Sequence, residues 1–246
     1  MMTSKNSEHK LCSLLFKTTS DYNANLQTLL GLINESQENS IIVAPEVCLT
    51  GYDYDNFEEV LEFAHIANKE IKKASYNKII ILTIIEKKDG EVFNFAKIFF
   101  NGEIVYERGK AKLFRFGNEH KYMSEDSHES VEIIEVDGIK IGVLICFELR
   151  FKDLWQKLEG CDVIAVPSWW GVLRTQNYVI LTTALAIMNQ CFVIASDSLN
   201  EECTKMSGIV KPSGESVRNE DMEFLEIAYD KKEIIAMRRY MDVGIG

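Results

Sequence analysis

No Cys-x-x-Cys pair occurs in this sequence, and its four histidines, His9, His65, His120 and His128, are scattered. Structural zinc sites and iron–sulfur clusters need grouped ligands, so neither is expected and no cofactor is called for. Basic residues are also short: 27 Lys and Arg stand against 38 Asp and Glu, giving a net charge of −11. Nucleic acid and anionic membrane surfaces both attract basic proteins, so neither is an expected partner. Long apolar runs are missing. The longest, Ile79–Ile85, falls far below the roughly 20 residues needed to span a bilayer. The first ten residues are polar, and LCSLLF after them is too short for a signal-peptide core. The six cysteines, Cys12, Cys48, Cys146, Cys161, Cys191 and Cys203, are even in number, but the chain is not small enough to need disulfides. A cytoplasmic protein with reduced thiols is the expectation. Repeats, linkers and low-complexity segments are absent as well.

What is present suits a globular protein. Hydrophobic residues make up 46% and charged residues 26%, and a chain of this length buries roughly 70–75% of its unfolded surface. Lys10–Lys17 reads as a first strand. Leu26, Leu29, Leu30 and Ile33 repeat at helical spacing over 21–36, with Asp21 or Asn23 as cap. Ser40–Ala44 is a strand stopped by Pro45. Residues 55–75 carry the helical stripe Val60, Phe63, Ile66, Ala67 and Ile71. Asp89-Gly90, Asn101-Gly102 and Asp137-Gly138 each mark a hairpin. Residues 110–128 read as a long loop, and loops of that length tend to be functional. Later segments alternate: a strand ending at Pro167, a helix over 175–191, a strand over 191–198, a turn at Pro212–Gly214, a strand over 223–230 and a basic helix from Lys231. Mixed βαβ units and hairpins predict a layered α/β sandwich with mixed sheets, in one domain covering 1–246.

The stretch IKIGVLICFELRF, residues 139–151, concentrates the chemistry. Ile139, Ile141, Val143, Leu144 and Ile145 form a buried strand. Leu149, Leu154, Trp155 and Leu158, with Gly160 as a stop, predict a helix directly after it. Cys146 then sits at a strand-to-helix turn, where outward backbone N–H groups and the helix dipole favour a thiolate. A small buried hydrophobe is the other reading of such a cysteine. Glu46 falls just past a strand end, the edge where open α/β sheets hold ligands. Lys110 begins the long loop. A thiol, a carboxylate and a fixed cation together make a set suited to nucleophilic acyl transfer.

VAPEVCLTGY, GKAKLF and GVLICFELRF resemble, in order and spacing, the three signature blocks of the nitrilase superfamily, the carbon–nitrogen hydrolases. PSWWG, NQCFVIASDS and SGIVKPSGE are similar to its later blocks. The resemblance runs from KLCSLLF to the tail and implies a four-layer α-β-β-α sandwich. It also implies Glu46 as general base, Lys110 as the oxyanion-side lysine and Cys146 as nucleophile. Lys110 is preferred to Lys112, which occupies the position where the family has a histidine. Glu119 matches a further family glutamate in the loop. Where the family has an Arg-Ala-x-Glu-Asn run, this chain reads Leu-Ala-Ile-Met-Asn at 185–189, losing an arginine and a glutamate. Arg150 is expected to be a buried salt-bridge partner holding the cysteine turn. Tyr52, Phe116, Phe147, Trp169 and Trp170 are candidate substrate-binding residues, with packing as the alternative for the aromatic rings. The implied substrate is a small linear amide or carbamoyl compound, cleaved through a thioester. An acyltransferase of the same fold and a non-catalytic interaction protein are the alternatives. Relatives are commonly dimers, so a homodimer or higher homo-oligomer is expected.

Overall fold

Three Asx-Gly turns set the sheet order. Asp89, Asn101 and Asp137 take φ of 52°, 49° and 51°, and the glycines after them take 90°, 85° and 75°. Positive φ at both central residues is the type I′ geometry whose twist suits a tight hairpin. The computed structural model describes residues 9–219 and 222–245, so the polar residues 1–8 read above as carrying no export signal lie outside the described residues.

The first sheet holds β1 (Lys10–Leu14), β2 (Ser40–Val43), β3 (Ile79–Lys88), β4 (Glu91–Phe100), β5 (Glu103–Gly109) and β12 (Phe224–Ala228), in the order β12-β1-β2-β3-β4-β5. The second holds β6 (Ile134–Val136), β7 (Ile139–Val143), β8 (Val163–Pro167), β9 (Phe192–Ser196), β10 (Ser207–Val210) and β11 (Ser216–Asn219), in the order β11-β10-β9-β8-β7-β6. Each sheet has a parallel centre, β1-β2-β3 and β7-β8-β9, with antiparallel strands outside it. The central strands β2 and β8 are buried on both faces, as their near-continuous Ile and Val runs require.

Side-chain alternation builds the layers. Ile41 and Val43 of β2 join Ile141, Val143 and Ala165 of the other sheet in the central core. Ile42 and Ala44 point the other way, against Leu26, Leu29 and Ile33 of α1 (Tyr22–Glu35) and Phe63, Ala67 and Ile71 of α2 (Phe57–Ala74). The period of two thus sends one set to the partner sheet and the other to the helices. Asp21 caps α1, accepting from the Ala24 N–H at 2.9 Å. On the far side, α4 (Thr175–Asn189) lays Tyr178, Leu185 and Ala186 into the core. α5 (Lys231–Tyr240) follows β12. The result is the expected α-β-β-α sandwich of two mixed sheets. Ser13 of β1 donates to the Ala195 carbonyl of β9 at 2.7 Å, and Ser196 donates to Leu14 at 2.6 Å, pinning the two sheets together.

One local expectation needs correction. The helix predicted directly after Cys146 is split into a 3-10 turn over Cys146–Arg150 and a short α3 over Lys152–Lys157. Phe151 between them is extended, at φ −110° and ψ 107°. The break follows from Glu148, whose carboxylate turns inward to accept from the Ile145 and Ala111 backbones. The loop at 110–128 is ordered by 3-10 turns at Arg115–Gly117, Glu119–Lys121 and His128–Ser130.

Candidate active site

The polypeptide passes one end of the sandwich at the C-terminal ends of β2, β5, β7 and β8, and these four exits carry Glu46, Lys110, Cys146 and Trp169. Two exits are strained. Val47 and Cys146 have φ of 44° and 43°, an uncommon region for a residue with a Cβ and an outlier for a β-branched one. The Val47 N–H is held by Thr83 Oγ1 at 2.7 Å. Such strain clusters at functional sites because the surroundings over-determine it.

Lys110 is fully buried and bridges two carboxylates. Its Nζ lies 2.7 Å from Oε1 of Glu46 and 2.9 Å from Oε1 of Glu119. The Tyr52 hydroxyl sits between the same two oxygens, at 2.6 Å and 3.0 Å. Asn94 Nδ2 donates to Glu46 Oε1 at 2.9 Å, and the Trp169 N–H donates to Glu46 Oε2 at 3.1 Å. Glu119 Oε2 accepts from the Phe114 N–H at 3.0 Å. Burial draws the Lys110 pKa down, but Glu119 and Glu46 more than reverse this, so the ammonium holds its proton more tightly than an ordinary lysine. One cation facing two carboxylates leaves an excess of negative charge. Burial accordingly raises the Glu119 pKa, with Glu46 adding to the rise and Lys110 opposing it.

Cys146 is buried beside this cluster and feels its charges. Burial first, then Glu46, push the thiol pKa well above its ordinary value, while Lys110 and the Trp169 N–H pull it down. The thiol thus holds its proton more tightly than an ordinary cysteine does. A narrow cleft opens at the sulfur. Phe114, Phe147, Trp169 and Trp170 wall it, and Arg150 and Arg174 add two guanidinium groups. Trp170 is fixed twice: its N–H donates to Asp197 at 2.8 Å, and its indole N–H donates to the Arg174 carbonyl at 2.9 Å.

Glu46, Lys110, Glu119 and Tyr52 are thus in direct contact, with Cys146, Phe147, Trp169 and Trp170 alongside. Phe116 is not among them. It is 86% exposed, because the 3-10 turn at 115–117 sends its ring outward and presents Phe114 to the cleft instead. Lys112 packs over the Phe151 ring, away from the carboxylates. Arg150 is also placed differently from expectation. It is exposed and stacks on Trp170, 4.9 Å from the ring centroid. The buried ion pair of the cysteine turn is Arg108–Glu148, with contacts of 2.8 Å and 2.5 Å. Glu148 also accepts from the N–H of Ala111 and of Ile145, so one carboxylate ties the segment after Lys110 to the segment before Cys146. Asn94, Arg108, Glu148 and Phe114 were not singled out from the sequence. The available signals were an acid inside the apolar run ICFELRF and an uncharged polar residue inside VFNFAKIFF.

Six buried cysteines are free, and among the described residues no group of three or more His, Cys, Asp or Glu could hold a metal ion. No helix among them is long and apolar enough to cross a membrane.

The arrangement of two mixed sheets between helices is also seen in solved proteins. The XC1258 protein of Xanthomonas campestris, described as a CN-hydrolase superfamily protein, aligns with a TM-score of 0.84 at 17% identity over 95% of both chains. The sequence profile of the carbon–nitrogen hydrolases matches residues 10–231, and the chain belongs to that family. Among characterised relatives, the 2-oxoglutaramate amidase of Bacillus subtilis is 33% identical over 168 residues, 65% of this chain and 64% of that enzyme. That match spans less than two thirds of the relative's length. The deaminated glutathione amidase of Escherichia coli O157:H7 is 26% identical over 82% of both chains.

Proposed function

We propose that the protein is a cysteine-dependent amidase that hydrolyses the C–N bond of a small linear amide or carbamoyl compound. Glu46 takes the Cys146 proton as the sulfur attacks the carbonyl carbon. The C=O π pair moves onto oxygen, and the Lys110 ammonium and the Phe147 N–H stabilise the oxyanion. The oxyanion collapses, the C–N bond breaks, and Glu46 returns the proton to the departing nitrogen, releasing ammonia or an amine. Water then gives a proton to Glu46 while its oxygen attacks the thioester. The C–S bond breaks and the thiolate takes that proton back, leaving a carboxylic acid. Glu119 and Tyr52 hold Lys110 and Glu46 in register throughout.

The observation that carries this reading is geometric: Cys146 lines the cleft beside Trp169, the Trp169 N–H donates to Glu46 Oε2 at 3.1 Å, and Lys110 Nζ lies 2.7 Å from Glu46 Oε1. A neutral nucleophile needs a base within reach, and Glu46 is the carboxylate that acts most strongly on it. The amidase names of the relatives support the same chemistry. The test is ammonia release from a panel of short amides, ureido acids and nitriles, with Cys146→Ala as blank. Turnover by the parent and none by a folded Cys146→Ala protein is the expected outcome. Equal release from both would remove Cys146 from the mechanism.

A further inference from the structure

Tyr54 touches the loop over 110–128 on both sides of Glu119. Its hydroxyl donates to the Gly117 carbonyl at 3.3 Å. Its ring stacks face to face on that of Tyr122, with centroids 4.0 Å apart and planes 7° from parallel. Phe57 closes the cluster, 5.4 Å from Tyr122 and 6.3 Å from Tyr54 between centroids. Between the two contacts, the Glu119 carbonyl accepts from the Tyr122 and Met123 N–H groups at 3.0 Å and 2.9 Å. A shift of the Tyr122 backbone is therefore passed directly to Glu119. The platform under the stack is itself fixed: Asp53 accepts from the Tyr22 hydroxyl at 2.7 Å and from the Asn56 N–H at 3.1 Å. Glu119 is also a group that needs holding. Burial and the Glu46 charge both disfavour its carboxylate, and Asn118 just before it is left-handed, at φ 63°.

We propose that Tyr54 and Tyr122 are positioning residues: their stack, on the outer side of the loop, clamps the Glu119 turn so that its carboxylate stays on Lys110. The ion pair alone does not set that geometry. When the stack is lost, Glu119 leaves the cluster and Lys110 faces Glu46 alone. The ammonium then draws harder on the carboxylate assigned to take the thiol proton, and Glu46 becomes a weaker base. The consequence for rate rests on the amidase reading of Cys146. The consequence for the thiol itself does not, because Glu119 is one of the charges that Cys146 feels.

A double-mutant cycle on Tyr122 and Glu119 provides the test. Tyr122→Ala should lower kcat for ammonia release by about threefold to tenfold, the scale of a lost aromatic pair, with KM little changed. Tyr122→Phe keeps the ring and should recover most of that loss. In a Glu119→Ala background, Tyr122→Ala should cost nothing further, because the carboxylate it positions is gone. The second readout needs no turnover: alkylation of Cys146 by iodoacetamide at pH 8, followed as mass gain on its peptide. Glu119 raises the thiol pKa, so Glu119→Ala and Tyr122→Ala should each speed alkylation, and the double variant should be no faster than Glu119→Ala. This arm decides the proposal even if no amide is cleaved. Tyr122 is 38% exposed, so its truncation should leave the fold intact, with urea midpoints as the check. Should Tyr122→Ala unfold, Tyr122→Leu, which keeps bulk without the stack, carries the same cycle. Effects that multiply in the double variant, a Tyr122→Phe protein as impaired as Tyr122→Ala, or alkylation that Tyr122→Ala does not change would each overturn the assignment.

Discussion

The N–H of Trp169 donates to Oε2 of Glu46 at 3.1 Å, across 123 residues of sequence, and the Glu46 N–H donates back to the carbonyl of Ser168 at 3.2 Å. These two bonds join the end of β2 in one sheet to the end of β8 in the other, so the loop after β8 sets where the proposed base lies. The next residue is anchored in turn. Asp197 accepts from the Trp170 N–H at 2.8 Å with one oxygen, and from Thr204 and Lys205 at 2.9 Å and 3.1 Å with the other. Asp197 therefore acts as a positioning residue for Trp169 and, through it, for Glu46. Asp197→Asn would place an NH2 group against backbone donors on one side. A loss of about 1–3 kcal/mol is expected from the unsatisfied groups, with kcat lowered more than KM. Urea unfolding and steady-state kinetics read the two effects separately.

The same carboxyl gives a pH signature. Burial raises the Asp197 pKa to about 7, and its backbone donors only partly oppose this. An acid whose folded pKa exceeds its unfolded value, about 3.9, keeps its proton in the native state after the unfolded chain has lost it. Its contribution to stability is then greatest below about pH 4, falls as pH rises toward 7, and levels off above that. Asn does not titrate. The stability gap between the parent and Asp197→Asn should narrow from pH 4.5 to 7.5, as read from urea midpoints. A gap that stays constant over this range would mean that Asp197 is ionised throughout.

Arg108 and Glu148 form the other brace. Both are buried, and between them they hold the backbone at Val143, Ile145, Gly109 and Ala111. Glu148→Gln keeps the shape but leaves the guanidinium without its counter-charge, which typically costs about 3–5 kcal/mol. Thermal unfolding should show a large drop. Ammonia release should fall even below the unfolding range, because the Lys110 and Cys146 segments lose their shared anchor. A surface substitution such as Lys73→Gln, which removes only an exposed i,i+3 pair with Glu70, should leave both measurements within error.

Local chemistry made much of the fold legible. Asp89-Gly90, Asn101-Gly102 and Asp137-Gly138 specify their hairpins through φ alone, and the helices over 22–35, 57–74 and 175–189 follow apolar spacing. Glu46, Lys110 and Cys146 stood out because each reactive group follows a strand end. What stayed hidden depends on pairing across the fold. Arg108 and Glu148 lie 40 residues apart, and nothing local told Arg108 from Arg150 as the buried partner. The exchange of Phe116 for Phe114 turns on a single 3-10 turn, whose register no apolar period reports. The Leu-Ala-Ile-Met-Asn run illustrates the same limit. Leu185, Ala186 and Asn189 are buried, whereas Ile187 and Met188 are exposed, so the altered positions divide between core and surface.

The electrostatics of Glu46 and Cys146 predict opposite effects on catalysis and on simple thiol reactivity. Burial raises the thiol pKa most, the Glu46 charge adds to it, and Lys110 opposes. Thiolate, not thiol, attacks iodoacetamide, so alkylation of the parent should be slow at pH 7 and still accelerating at pH 9. Glu46→Gln removes a negative charge beside the sulfur and leaves Lys110 with only Glu119 to face. The thiolate fraction should therefore rise. Cys146 in Glu46→Gln should be alkylated faster than in the parent at pH 7, as mass gain on the Cys146 peptide, with Cys146→Ala correcting for the other five cysteines. Ammonia release by the same variant should fall by about a hundredfold or more, since general-base assistance typically contributes 10²–10⁴. Slower alkylation across the whole pH range would show that Glu46 assists the thiol's ionisation more than its charge opposes it. The field of Lys110 would then be too weak to hold the thiolate unaided.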